Sequence, residues 1–152
     1  MTQTEKELLF KDLCARLPFG VKGKCELDAS YDTSFDTIFQ THKFNAEVYG
    51  LKEDSLFVYP LIEDNDEQTF AEEEVADGVS ILDFTPYLFP LSSMTEEQKM
   101  FLKQQNWCIA ISTSGTVETT IEGIDWLNKN HLDYRGLIEK GLAIDATGLN
   151  IY

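Results

Sequence analysis

The chain has 152 residues, 43% of them hydrophobic, and 27 Asp and Glu against 12 Lys and Arg give a formal charge of −15. That apolar content supports a packed core and excludes global disorder, and no apolar run is long enough to span a bilayer. The carboxylate surplus repels phosphate backbones and anionic lipid, which argues against direct nucleic-acid binding and against a membrane role.

The charge is unevenly placed. Between Lys52 and Lys99 there is no Lys or Arg, while the interval carries Glu53, Asp54, Glu63, Asp64, Asp66, Glu67, Glu72, Glu73, Glu74, Asp77, Asp83, Glu96 and Glu97. This acidic surface reads either as a solvated loop or as a decoy for a basic, DNA-binding protein. The start, Met1-Thr2-Gln3-Thr4-Glu5, lacks the basic and apolar regions of a signal peptide. Cys14, Cys25 and Cys108 are odd in number and widely spaced, the pattern of reduced thiols in a cytoplasm.

In chain order, Thr4 and Glu7 have capping-box spacing and predict a helix from about Glu5 to Leu17. Leu9, Leu13 and Leu17, with Phe10 and Cys14 beside them, form its apolar stripe, and Pro18 and Gly20 end it. Val21 to Leu27 alternates as a half-buried antiparallel strand. Further strands are expected over Phe35–Phe44, Ala46–Tyr49 after a turn at Asn45, Leu56–Ile62, and Phe70–Val75 with Val79–Phe84 around Asp77-Gly78. Short strands in this density after one helix suggest a small barrel of SH3-like type.

Pro86 to Gln98 divides the chain. Pro86 and Pro90 fix their own φ and keep Thr85 and Phe89 extended, so Tyr87, Leu88, Phe89 and Leu91 are expected to pack as a strap. Thr95 and Gln98 form a second capping box, opening a helix over Glu96–Gln105. Trp107–Thr113 and Thr116–Ile121 read as a hairpin, and a helix restarts near Ile124, with Ile124, Leu127 and His131 on one face. Asp133 is positioned to cap a further helical turn through Leu137 and Ile138, which Gly141 stops. The expected class is therefore α+β: an N-terminal helix, a small antiparallel barrel-like region and a C-terminal helical segment. The expected domains are 1–85 and 86–152, or a single unit over 1–152.

The run Pro86 to Glu97, the run Lys11 to Val21, and the ending Asp125 to Asn128 with His131 to Ile138 together resemble small, acidic, uncharacterised proteins of gut Bacteroides and their phages or mobile elements. The resemblance implies a bacterial cytoplasm and a mobile-element setting, and it brings no activity, cofactor or site residue with it.

The densest group of functional side chains is His131, Asp133, Tyr134 and Arg135. Read chemically, it suits a small anionic ligand or a partner's acidic tail, with Arg135 bidentate. Read structurally, it is a junction in which Asp133 caps, Arg135 pairs with a carboxylate and His131 packs on a helix. Trp126 and Tyr152 are core or interface anchors. Glu63 to Glu74 has the length of a calcium-binding EF-hand loop, but Gln68 stands where that loop needs Gly. His42, His131 and the cysteines lack zinc-ligand spacing, Cys108 has no local base, and no phosphate-loop or hydrolase motif occurs. No metal, cofactor or catalytic residue is assigned. The expected function is a non-enzymatic protein-binding module, with a DNA-mimic decoy and an enzyme built on His131–Arg135 as alternatives.

Overall fold

The fold is that of a computed structural model. It describes residues 1–32, 37–52, 55–62, 75–107, 110–111 and 117–152, and the side chains of all of these except 29–32, 37–40 and 110–111. The acidic run from Glu63 to Glu74, the expected strand Phe70–Val75 apart from its last residue, and Cys108 lie outside the described residues.

Helix α1 spans Gln3–Arg16. Its capping box is Thr2 with Glu5 rather than Thr4 with Glu7. The buried face consists of Leu9, Asp12, Leu13 and Arg16, at i, i+3, i+4 and i+7. Cys14 points away from that face and is exposed, contrary to its place on the expected stripe. A short 3₁₀ turn, Leu17–Phe19, ends the helix, and Gly20 follows in the left-handed region at φ 73°.

Strands β1 (Lys22–Asp32) and β2 (Thr37–Lys52) form a long antiparallel pair. The alternation expected from Val21 onward holds. Val21, Gly23 and Cys25 are buried, while Glu26 on the outer side bridges Lys24 at 2.8 Å and Lys43 at 3.0 Å. The two strands expected on either side of Asn45 are one continuous strand. Asn45 is tolerated because its groups are satisfied: its side-chain oxygen accepts from the Tyr87 hydroxyl at 2.8 Å, and its carbonyl accepts from Leu61 N–H at 2.7 Å. Strand β3 (Ser55–Pro60) pairs with β2 across a bulge between Val48 and Gly50, and the two-residue β4 (Val79–Ser80) pairs with β3.

A 3₁₀ turn over Ile81–Asp83 leads into β5, Phe84–Pro90, which is the expected strap. It is antiparallel to β1 through Phe84, Thr85 and Pro86. It is parallel to β8 (Leu132–Asp133) through Phe89 and Pro90, and to β9 (Ile144–Asp145) through Tyr87 and Leu88. Position 86 thus falls inside a strand with partners from both parts of the chain. Helix α2 (Glu96–Gln104) has the capping box expected of Thr95 and Gln98. Strands β6 (Ala110–Ile111) and β7 (Val117–Glu118) make a separate two-stranded pair, followed by α3 (Ile121–Lys129), capped by Thr120.

The sheet runs β4-β3-β2-β1-β5-β8 with β9 also on β5, and it is mixed and open rather than an SH3-like barrel. The physical reason is strand length. Closure needs every strand paired on both sides with a shared stagger, and the end strands β4 and β8 are two residues each. The expected C-terminal helical segment also shrinks to α3. Beyond it the chain makes turns and two-residue strands, and the residues around Leu137 and Ile138 form a turn rather than a helix.

One core cluster joins Leu9 and Leu13 of α1 to Val21, Cys25, Ala46, Val48, Leu56 and Val58 of the sheet, with Phe84, Leu88, Leu137 and Leu142. Burial pushes the Cys25 thiol up to about 12, so it behaves as a small apolar side chain. A second cluster, Leu127, Leu132 and Tyr134, seats α3 against Phe89 and Leu91.

Candidate functional site

The polar centre is built on α1, where Asp12 and Arg16 face inward one turn apart and are both 0% exposed. Arg16 Nε and Nη2 donate to the two Asp12 oxygens at 2.7 and 3.2 Å, and Nη2 also donates to the Leu132 carbonyl at 2.8 Å. Arg135 Nε reaches Asp12 Oδ1 from outside at 3.1 Å. Its Nη2 donates to the Tyr134 hydroxyl at 2.7 Å. Both guanidinium groups lie over the Tyr134 ring, Arg16 at 5.3 Å and Arg135 at 4.7 Å from its centroid. Two cations share one carboxylate and one aromatic ring, and among the described residues the buried Arg16 Nη1 has no hydrogen-bond partner. Such an arrangement locks α1 to the segment after α3. Both Asp12 oxygens accept from guanidinium donors.

Asp133 is 8% exposed and turned elsewhere. Its Oδ1 accepts from Leu137 N–H at 2.9 Å and its Oδ2 from Ile138 N–H at 2.8 Å. It therefore caps the turn, as its sequence position suggests, while β8 holds its backbone against Pro90.

His131 does not share a helical face with Ile124 and Leu127, because α3 ends at Lys129 and His131 takes a left-handed conformation at φ 52°. Its ring stacks on Tyr152, centroid to centroid 3.8 Å at 14°, and the buried Nδ1 has no hydrogen-bond partner among the described residues. Burial, then the positive charges of Arg16 and Lys22, pull the imidazole down to about 4 from 6.5. The folded chain thus holds His131 neutral where the unfolded chain would bind a proton. That contribution to stability is complete above about pH 6.5 and is lost as the pH falls toward 4. Allowing for solvent screening, we expect a loss of about 2 kcal/mol across this window. Urea unfolding at both ends of the window should show a shallower pH slope for His131→Phe, which keeps a ring but cannot titrate. Equal slopes would refute the assignment.

A cleft of about 410 Å³ adjoins the stacked pair and is lined by Phe89, Ser93, Thr95, Gln98, Lys129, Asn130, His131, Leu132 and Tyr152. Several of its polar side chains are engaged locally: Gln98 with Thr95 and Asn130, Ser93 with the Pro90 carbonyl, and Asn130 with the Trp126 carbonyl.

Trp126 lies apart from this centre. It stacks on Phe101 of α2 at 6.0 Å, and Trp107 meets the same Phe101 edge-on at 5.8 Å. The structure therefore joins Tyr134 and Arg135, sends His131 and Asp133 to separate tasks, and places Trp126 on another surface. Asp12 and Arg16 are the residues that sequence reasoning missed, although an acid–base pair at i, i+4, in phase with Leu9 and Leu13, is the signal that marks them. Among the described residues no group of three or more His, Cys, Asp or Glu side chains is placed to hold a metal ion, and no helix is long and apolar enough to cross a membrane. No protein-family model, curated protein or solved structure is significantly similar to this chain.

Proposed function

We propose that the chain is a non-enzymatic protein-binding module, in a bacterial mobile-element or phage-related setting, and that it meets its partner through the aromatic cluster between α2 and α3. The observation that carries this reading is the contact of Phe101 with both Trp107 and Trp126 at the surface, with Phe101 itself 39% exposed. Met100 on the same helix is 57% exposed. Large aromatic side chains that are part-exposed and already fixed by one another bind at small entropic cost, which is why such groups dominate interface energetics. The engagement of Asp12, Arg16, Asp133 and Arg135 with one another and with the backbone supports the same reading.

The test is affinity capture from a bacterial lysate with the wild-type chain and a Met100→Glu/Phe101→Glu variant, both checked for unchanged circular dichroism. A partner retained by the wild type and weakened at least about tenfold by the variant supports the proposal. A partner retained equally by both, or turnover of a small molecule with no retained protein, refutes it.

A further inference from the structure

The face of the sheet turned away from α1 has an aromatic end. Val48, Leu56 and Val58 point into the core, so Glu47, Tyr49, Phe57 and Tyr59, which alternate with them, lie on the outer face. Tyr49 is 67% exposed and Tyr59 54% exposed. The bulge in β2 gathers the rings. Tyr49 is the extra residue between the Val48–Val58 and Gly50–Phe57 pairs, so Tyr49 and Gly50 both fall on the outer side. Gly50 has no side chain to cover the Phe57 ring opposite it, and the Tyr49 ring lies 6.2 Å from that ring at 43°.

Beside these rings stands a carboxylate without a mate. Glu47 is directly opposite Tyr59 on β3 and Lys22 on β1. Lys22 is engaged elsewhere: its Nζ donates to the Ile151 carbonyl at 2.9 Å and lies 5.7 Å from the Tyr152 ring centroid. Glu26, further along the face, is taken by Lys24 and Lys43. Among the described residues Glu47 makes no hydrogen bond or ion pair. Its Oε1 lies over Gly20, where a Cβ would stand 3.0 Å away, so the glycine leaves the carboxylate uncovered.

Elsewhere in the fold the same combination holds a guanidinium. Arg135 lies over the Tyr134 ring at 4.7 Å from its centroid while its Nε donates to Asp12 at 3.1 Å. A planar guanidinium can stack on an aromatic ring and pair with a carboxylate at once, which a compact ammonium does less well. The formal charge of −15 adds long-range attraction for a basic protein and repels nucleic acid.

We propose that the outer face around Tyr49, Phe57 and Tyr59 is a docking site for an arginine-bearing segment of a basic partner protein, whose guanidinium groups stack on the two tyrosines and pair with Glu47. The face is separate from the α2–α3 aromatic cluster, and neither reading stands on the other.

The experiment titrates the wild-type chain with the peptide acetyl-Gly-Arg-Gly-Arg-Gly-amide at about 0.15 M salt, where attraction by net charge alone is screened, and follows the tyrosine ring resonances by NMR. The Tyr49 and Tyr59 signals should move, and those of the buried Tyr134 should not. The lysine analogue of the peptide should bind at least about threefold more weakly. Glu47→Gln and Tyr49→Ala/Tyr59→Ala should each weaken binding at least about fivefold. Glu97→Gln, which removes an equal charge from exposed α2, should leave it unchanged. The wild-type titration reads the face directly and does not depend on how any variant folds. The proposal is overturned if the two rings stay still up to about 10 mM peptide. It is equally overturned if the lysine analogue matches the arginine peptide, or if Glu97→Gln weakens binding as much as Glu47→Gln. Movement of the same rings by cellotetraose or a single-stranded oligothymidylate, but not by the peptide, would assign the face to another occupant and also overturn it.

Discussion

Asp12→Ala is expected to lower the unfolding free energy by about 3–5 kcal/mol and the melting temperature by about 10 °C, the largest effect of any single polar substitution considered. Asp12 is fully buried and, among the described residues, is the one carboxylate that meets both Arg16 and Arg135. Its removal leaves Arg16, itself 0% exposed, as a cation that among the described residues keeps the Leu132 carbonyl and the Tyr134 ring as partners. The penalty is mainly that of an uncompensated buried charge rather than the intrinsic strength of the pair. This distinction can be measured. Replacing both members together, as Asp12→Leu/Arg16→Met, should recover most of the loss, because an apolar pair of similar size needs no counter-charge. Equilibrium urea unfolding of both variants decides the matter. A cost below about 1 kcal/mol for Asp12→Ala would show that the network does not anchor α1.

Gly23→Ala should cost about 3 kcal/mol, at the upper end of what overpacking does, because the added methyl has nowhere to go. A Cβ on Gly23 would lie 2.3 Å from Phe84 Cζ and 2.6 Å from the Thr85 carbonyl oxygen. The first obstacle is a side chain in the core and the second is main chain of the paired strand, so either Phe84 leaves its site or β1 and β5 move apart. Adding Phe84→Leu to Gly23→Ala would relieve only the first contact and should restore only part of the loss. Urea midpoints with unchanged slopes would report this; a change below about 0.5 kcal/mol would refute the close approach.

Much of the local structure was legible because it depends on residues near in sequence. The Thr95–Gln98 capping box, the extended Pro86–Pro90 segment and the alternation of β1 all appear as expected. The start of α1 was misplaced because Thr2…Glu5 and Thr4…Glu7 have the same spacing, and the chain uses the earlier pair. The inward face of α1 was misread because periodicity counts apolar side chains, and half of this face is Asp12 and Arg16. A charged pair can occupy a core position only when its partners are in place, and Arg135, one of those partners, lies 123 residues away. For the same reason the sequence suggested that Arg135 meets a carboxylate and that Asp133 caps, but not which carboxylate. Closure of the sheet was illegible because it depends on how long the last strands are, and those depend on β8 and β9 reaching back to β5.

The position of β5 has a consequence for synthesis of the chain. While a ribosome is still upstream of residue 84, β1 and β2 can already meet, but residues 23–25 of β1 have an unpaired flank that only β5 will cover. Such a flank is a template for pairing with a neighbouring nascent chain. Lys22 and Lys24 stand beside it, the second half-exposed, and their charges discourage that encounter during the interval. The two lysines thus act twice: early, as guards of an unfinished border, and later in fixed contacts, Lys24 with Glu26 and Lys22 with the Ile151 carbonyl.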